Sequence, residues 1–181
     1  MALSPLIRHR LVRLVAAVGM VCLLFVSVHP ASAESIRVLL AQEAPFLDVR
    51  SDGAFALVSE SGETKTLHGP IHLTARGDGL HLDGRRLAGG QVQLRPLRHT
   101  LTLVIGKDGG GGAGTPLPIS GAVRVSRKGH ALAITNQVDL EEYVKGVVPA
   151  EVSSAWHPEM LKVQAVAART YALYNKMLSA S

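Results

Sequence analysis

The sequence holds a single cysteine, Cys22, among its 181 residues. Cys22 lies in an N-terminal segment in which three arginines precede an apolar run at 14–28 and the small residues Ala31-Ser32-Ala33. This order is typical of a secretory signal, and we predict cleavage before Glu34, with an uncleaved anchor as the alternative. The mature chain would then lie outside the cytoplasm, in a periplasm or a cell wall, without any cysteine. Disulfide bonds and thiol catalysis are therefore excluded for it.

The sequence also lacks a strong charge once this segment is removed. Residues 1–33 contain three of the 19 Lys and Arg residues and none of the 14 Asp and Glu residues, which leaves 16 basic against 14 acidic side chains. The resulting net charge of +2 is too small to indicate binding of a polyanion, so we exclude nucleic acid as the main partner. The remaining chain suffices for one modest domain held by an apolar core.

Several motifs of enzyme sites are absent. No Gly-x-Ser-x-Gly run and no His-Glu-x-x-His run occurs, so neither a serine nucleophile nor that type of zinc site is indicated. The six histidines after residue 33 are expected on the surface or on strand faces. The glycine-rich stretch at 106–118 lacks a closing Gly-Lys-Ser/Thr and contains Pro116 and Pro118, so we predict a flexible loop and no phosphate site. We expect no cofactor.

Short β-rich runs broken by turns dominate the chain from Ile36 to Ile134. Two hairpins are predicted around Gly77-Asp78-Gly79 and through Lys128-Gly129. The runs are SIRVLLAQ, AFALVSE, IHLTARGDGLHLDGRRL, HTLTLVI, GAVRVSR and HALAITN. This pattern predicts a compact antiparallel sheet or sandwich.

After Asn136 the pattern changes to a helical one, which makes the predicted fold class α+β. QVDLEEYVKGV is expected as a short helix or turn, and Pro158 as the first residue of a helix that runs to about Met177. That helix has an apolar stripe, formed by Leu161, Ala165, Ala168 and Ala172.

Basic side chains recur every seven residues on another face of this helix, at Lys162, Arg169 and Lys176. A solvated helix face explains such a row. A groove wall that offers donors to sugar hydroxyls is the alternative.

Glu151 allows two interpretations. Gly146, Val147, Val148 and Pro149 precede it, and we expect them to turn the backbone so that the carboxyl group lies beside Trp156. That apolar neighbourhood would desolvate the carboxyl group and favour its protonated form, as a general acid requires, and the indole ring would stack on sugars. Alternatively, Glu151 is an ordinary acid at a helix start that interacts with the helix dipole.

The runs LEEYVKGVVPAEV and WHPEMLKVQAVAARTYAL resemble the signature of the SpoIID/LytB family, the stage II sporulation protein D and amidase-enhancer group. The resemblance is close from about Ile119 to Tyr174 and looser back to Ile36. It divides the chain into a signal peptide at 1–33, a β-rich part at 34–118 and a motif region at 119–181. Val152 stands where the family commonly has methionine, and Ser153-Ser154 replace a more usual turn with proline.

The resemblance implies a lytic transglycosylase that cleaves peptidoglycan glycan strands stripped of their stem peptides. It places the catalytic acid at Glu151, and it assigns cleft-shaping or glycan-binding roles to Lys162, Gln164, Arg169 and Tyr171, beside Trp156. A non-catalytic module that binds peptidoglycan and stimulates a cell-wall amidase is the alternative, and an inactive fragment is a third interpretation. Family members normally continue with a second region that holds a metal in some of them, and this sequence ends before it, so we expect no metal. The oligomeric state is not predicted.

Overall fold

The computed structural model describes residues 34–98, 100–107, 112–153 and 155–179. The predicted signal segment at 1–33 lies outside the described residues. The described strands are β1 Ser35–Ala44, β2 Phe46–Arg50, β3 Phe55–Ser59, β4 Thr64–Leu67, β5 Ile71–Arg76, β6 Gly79–Leu82, β7 Arg85–Arg86, β8 Gln91–Pro96, β9 Leu101–Ile105, β10 Leu117–Ile119, β11 Ala122–Lys128 and β12 Ala131–Asp139. They are followed by the helices α1 Leu140–Glu151 and α2 Pro158–Leu178.

The strands form two antiparallel sheets. Sheet A has the order β1-β12-β11-β8-β3-β4, and sheet B has the order β10-β9-β2-β5-β6-β7. Alternate residues of β5 and β12 are buried, as the i, i+2 pattern of a half-buried strand requires. Leu57, Leu94 and Ile134 of sheet A pack with Leu47 and Leu73 of sheet B in one apolar core. The predicted antiparallel sandwich and the α+β class are confirmed.

Two predicted turns lie where the sequence placed them. β5 and β6 pair with Arg76 opposite Gly79, and β11 and β12 pair with Lys128 opposite Ala131. Gly129 closes the second hairpin with φ +65°, a conformation that residues with a Cβ rarely adopt. The glycine-rich loop is shorter than the predicted 106–118, because Leu117–Ile119 forms β10 on the edge of sheet B.

The helices pack in a second apolar cluster at one end of sheet A. Ile36 of β1 and Val138 of β12 are buried there with Val144 of α1 and with Ala168 and Ala172 of α2. The predicted stripe of α2 is therefore the face that the helix buries. Apolar burial of this kind contributes about 25 cal/mol per Å². It holds both helices against the edge of the sandwich.

Helix α1 departs from the prediction. We expected a short helix or turn and then a backbone turn at Gly146–Pro149, whereas α1 has 12 residues and Pro149 lies inside it. Asp139 caps its first turn by accepting hydrogen bonds from the N–H groups of Glu141 and Glu142. Val147 and Val148 are half-buried in the second apolar cluster. Their packing stabilises the helical conformation at Gly146 and Pro149, two residue types that usually end a helix.

No helix among residues 34–98, 100–107, 112–153 and 155–179 is long and apolar enough to cross a membrane.

Candidate functional site

Glu151 is the last residue of α1, and its side chain is exposed. The backbone leaves the helix directly after it, because Val152 is extended while its N–H still donates to the carbonyl of Val148 at 3.1 Å. The expected acid at a helix start is therefore wrong. A carboxylate at the C-terminal end faces the negative end of the helix dipole, and the last turn of α1 contains no basic residue. Helix stability thus gives no reason for Glu151 to be an acid.

The turn after Glu151 holds Trp156. The N–H of Trp156 donates to the carbonyl of Ser153 at 3.1 Å, and the N–H of Ala155 donates to Ser153 Oγ at 3.3 Å. His157 Nδ1 accepts the N–H of Glu159 and caps α2 at the residue before Pro158. The Trp156 side chain is 50% exposed. The α1–α2 turn therefore exposes an indole ring five residues after the exposed carboxylate of Glu151.

The predicted desolvation of Glu151 is not present in the free protein. Its side chain is exposed, and half of the Trp156 side chain contacts solvent as well. A substrate that covers both groups would have to exclude this solvent.

The basic row of α2, defined as Lys162, Arg169 and Lys176, consists of ion-paired side chains. Lys162 Nζ lies 2.8 Å from Glu159 Oε1 on the same helix. Arg169 donates through Nε and Nη2 to the two carboxylate oxygens of Glu141, at 2.7 and 2.6 Å. Lys176 binds the Glu34 carboxylate and the carbonyl of Ser35. In the free protein the last two residues tie α2 to α1 and β1, a role that neither the solvated face nor the groove wall included.

The bond to Arg169 holds the pKa of Glu141 below its ordinary value, because the guanidinium donates a hydrogen bond to the charged carboxylate and attracts it. The two residues lie 28 positions apart in the sequence, which gave no sign of this pair.

Residues 128–181 match the model of the SpoIID family, described as stage II sporulation protein. This part of the chain is similar to the SpoIID family, and we call it the SpoIID-like segment. The finding confirms the resemblance noted in the sequence, and it supports a role related to sporulation or the cell wall. The segment contains Glu151 and Trp156.

A curated relative matches part of the chain. An uncharacterized protein of Brachyspira hyodysenteriae is 50% identical over 50 residues, which cover 28% of this chain and 14% of the relative. The matched stretch is therefore about one-seventh of that relative's length. No solved structure matches this chain.

The other predicted site residues in the SpoIID-like segment do not all lie near Glu151. Gln164 is half-buried on α2, and Tyr171 is 67% exposed near its C-terminal end. Because Leu140 follows β12 directly and Lys176 contacts β1, the two helices form a hairpin whose turn lies about one length of α1, roughly 18 Å, from the sheet. Tyr171 lies near the sheet end of this hairpin, and Glu151 and Trp156 lie at its turn.

An exposed apolar row on α2 was missed in the sequence. Its side chains are between 50% and 73% exposed, namely Met160, Val163, Val166, Tyr174 and Met177. Their spacing of three, three, eight and three residues was the signal available, because such spacing places them on one side of a helix. Several exposed apolar side chains on one helix face are typical of interaction sites.

Within the part of the chain that the structure describes, no group of three or more His, Cys, Asp or Glu side chains is placed to hold a metal ion.

Proposed function

We propose that this chain is an extracytoplasmic cell-wall protein that cleaves peptidoglycan glycan strands as a lytic transglycosylase, with Glu151 as general acid and then base. One observation carries the proposal. Glu151 stands exposed at the C-terminal end of α1, beside the turn that presents Trp156, at a position where a carboxylate does not stabilise the helix. The SpoIID match over residues 128–181 supports the choice of substrate.

The proposed reaction needs one carboxyl group. Protonated Glu151 gives its proton to the oxygen that links N-acetylmuramic acid to N-acetylglucosamine, and the glycosidic bond breaks as positive charge develops on the muramic acid ring. The Glu151 carboxylate then takes the proton of that sugar's 6-hydroxyl, whose oxygen bonds to the anomeric carbon. The products are a free N-acetylglucosamine hydroxyl and a 1,6-anhydro ring, and no water is consumed. Hydrolytic glycosidases use a second carboxylate for water or as nucleophile, and here the internal hydroxyl replaces it.

A bound sugar would provide the desolvation of Glu151 that the free protein lacks. A glycan that stacks on the indole of Trp156 covers the carboxyl group of Glu151 and removes its water. Desolvation favours the neutral carboxyl group and so prepares it to donate a proton. Exposure of Glu151 before binding is consistent with this order of events.

A second function, that of a peptidoglycan-binding enhancer of a cell-wall amidase, is favoured by the exposed apolar row of α2. Such a function needs a surface for a protein partner, and this row provides one. It does not need the carboxyl group of Glu151.

The experiment that separates the two functions uses peptide-free glycan strands and mass spectrometry of the products. The parent protein is compared with Glu151→Gln and with the control Glu142→Gln, which removes another exposed carboxylate of α1. We expect anhydro-ended fragments from the parent and from Glu142→Gln, and a loss of at least about 100-fold in rate for Glu151→Gln, the usual contribution of a general acid.

Anhydro products from Glu151→Gln at the parental rate would refute the role of Glu151. If no variant forms products but all bind the strands, the enhancer function replaces the transglycosylase.

A further inference from the structure

A groove of about 960 Å³ lies between β1 and the C-terminal half of α2, at the sheet end of the helix hairpin. Its walls carry polar and aromatic side chains, namely Arg37, Arg124, Thr135, Gln137, Tyr143, Tyr171 and Asn175. Neither Glu151 nor Trp156 lines it. We call it the β1–α2 groove. Its volume is within the range of pockets that bind small molecules.

The strand register explains how four polar side chains of sheet A come to line the groove. Val125 pairs with Ile134 and both are buried in the sandwich core, so the neighbouring pair of Arg124 and Thr135 faces the other way. Arg37 pairs with Gln137 on this same outer face of sheet A. On this face Arg37, Arg124, Thr135 and Gln137 line the groove together with the apolar side chain of Leu39, which pairs with Thr135.

The two groove arginines have no acidic partner. The guanidinium groups of Arg37 and Arg124 make no ion pair or hydrogen bond with any residue in the described ranges, whereas Lys176 at the rim is bound to Glu34. Among the described residues, no aspartate or glutamate lines the groove. Two unpaired guanidinium groups without an opposing carboxylate create a positive potential, which favours a ligand with negative charge.

A shallower depression of about 280 Å³ extends this surface across sheet A. It shares Ser35 and Gln137 with the groove and adds Arg95, whose Nη2 donates to Gln93 Oε1 at 2.7 Å. Asp139, the one acid among the described residues that line it, accepts the N–H groups of Glu141 and Glu142. The described surface is therefore continuous and donor-rich, as an extended ligand requires.

We propose that the β1–α2 groove binds an acidic polysaccharide, namely a peptidoglycan glycan strand whose muramic acid carboxylates are free. Arg37 and Arg124 bind the carboxylates, because guanidinium groups donate paired hydrogen bonds to them. Tyr143 and Tyr171 offer rings on which sugars stack, and Gln137, Thr135 and Asn175 offer partners for hydroxyl and acetamido groups. The identity of this ligand rests on the proposed function, whereas the groove is a second site, separate from Glu151.

This arrangement assigns the two ends of the helix hairpin different tasks. The groove holds the strand by its charge, and the turn with Glu151 carries the chemistry. Binding at the groove therefore does not depend on the Glu151 carboxyl group.

The test measures the dissociation constant of peptide-free glycan strands for the full chain that carries Glu151→Gln, so that no strand is cleaved. In this background Arg37→Gln/Arg124→Gln is compared with Arg50→Gln/Arg85→Gln, which removes the same charge from exposed positions of sheet B. We expect the groove variant to raise the dissociation constant at least about 10-fold, and the control to change it less than about 2-fold.

A second ligand isolates the carboxylates. Strands whose carboxylates are converted to methylamides should bind the Glu151→Gln chain about 10-fold more weakly than unmodified strands do. The groove variant should bind the two kinds of strand with equal dissociation constants. Tyr171→Ala, at a side chain that is 67% exposed, should also weaken binding and keep the charge dependence.

Equal dissociation constants for the groove variant and the control would overturn the proposal, as would equal binding of the neutral and acidic strands. If sedimentation shows that the groove substitutions dissociate a dimer and leave glycan binding unchanged, the groove is an interface between copies instead. If the unsubstituted protein cleaves the strands and the groove substitutions leave the dissociation constant unchanged, this inference alone is wrong. Charge-dependent binding without cleavage would leave the groove in place and remove the transglycosylase.

Discussion

At the scale of single residues, a carboxylate in the last turn of a helix interacts unfavourably with the partial negative charge of the free carbonyl groups. Glu151 has this position in α1, with no lysine or arginine in the turn to offset it. Proteins keep such unfavourable groups at functional sites, where another requirement decides the residue. The physical cost of Glu151 is therefore part of the argument for its chemical role.

Glu151→Gln should stabilise the fold slightly while it removes the proposed activity. Loss of the negative charge at the helix end is expected to raise the free energy of unfolding by about 0.3 kcal/mol at low ionic strength, and the gain should shrink as salt screens the dipole. Urea unfolding at two salt concentrations measures this. A clear loss of stability in the variant would show that Glu151 has a structural partner and weaken the catalytic assignment.

At the scale of elements, α1 and α2 differ in how far the sequence predicts them. Pro158 and the stripe at Leu161, Ala165, Ala168 and Ala172 locate α2, because both signals are local. In α1, Gly146 and Pro149 are residues that usually end a helix, and only the contact of Val147 and Val148 with the second apolar cluster outweighs them. That contact depends on residues from β1 and β12, so the local sequence does not reveal it.

The same distinction applies to the site. The resemblance located Glu151 and Trp156, but the setting of each side chain follows from where α1 ends. The sequence also did not reveal the partners of Arg169 and Lys176, because these residues bind Glu141 and Glu34, which are far away along the chain.

The pair of Glu141 and Arg169 should make the helix hairpin sensitive to acid. Because Arg169 lowers the pKa of Glu141 in the folded state, the carboxylate stabilises the fold above its ordinary pKa of about 4.3, and this contribution is lost as the pH falls through the lowered value. The stability therefore rises with pH in this range, because the Glu141 carboxylate binds its proton more readily in the unfolded state than in the folded state. Melting temperatures of the parent and of Glu141→Gln should therefore differ most near neutral pH and converge as the pH falls toward 2.

Lys162→Gln provides the control for this titration, because it removes an exposed ion pair with Glu159 on α2 and leaves the bond between the helices intact. Its melting temperature should follow that of the parent across the pH range. A constant difference between the parent and Glu141→Gln at every pH would contradict the assignment to the carboxylate.

At the scale of the whole molecule, the hairpins follow from local turn signals, whereas the pairing of β1 with β12 joins Ser35 to Asp139 and depends on the complete sandwich. This pairing creates both the second apolar cluster and the β1–α2 groove. It depends in turn on how the chain passes from β10 in sheet B to β11 in sheet A, at Gly121.

Gly121 adopts φ +84°, and a Cβ there would lie 2.4 Å from the carbonyl oxygen of Gln137 and 3.0 Å from Val138 Cα. Both are backbone atoms of β12, which also pairs with β1, so the overlap cannot be relieved by a side-chain rotation. Gly129 has φ +65° and open space at the corresponding point. Gly121→Ala is therefore expected to reduce the free energy of unfolding by about 2 kcal/mol more than Gly129→Ala, which carries only the backbone penalty.

Equilibrium unfolding of the two alanine variants measures this difference, and equal losses would show that β12 shifts without cost. Because β12 borders β1 and continues into α1, a forced shift at Gln137 also displaces one wall of the groove. Gly121→Ala should therefore weaken binding of acidic glycan strands under conditions in which it is still folded, and Gly129→Ala should not. The passage between the sheets thus determines the stability of the sandwich and the shape of the groove together.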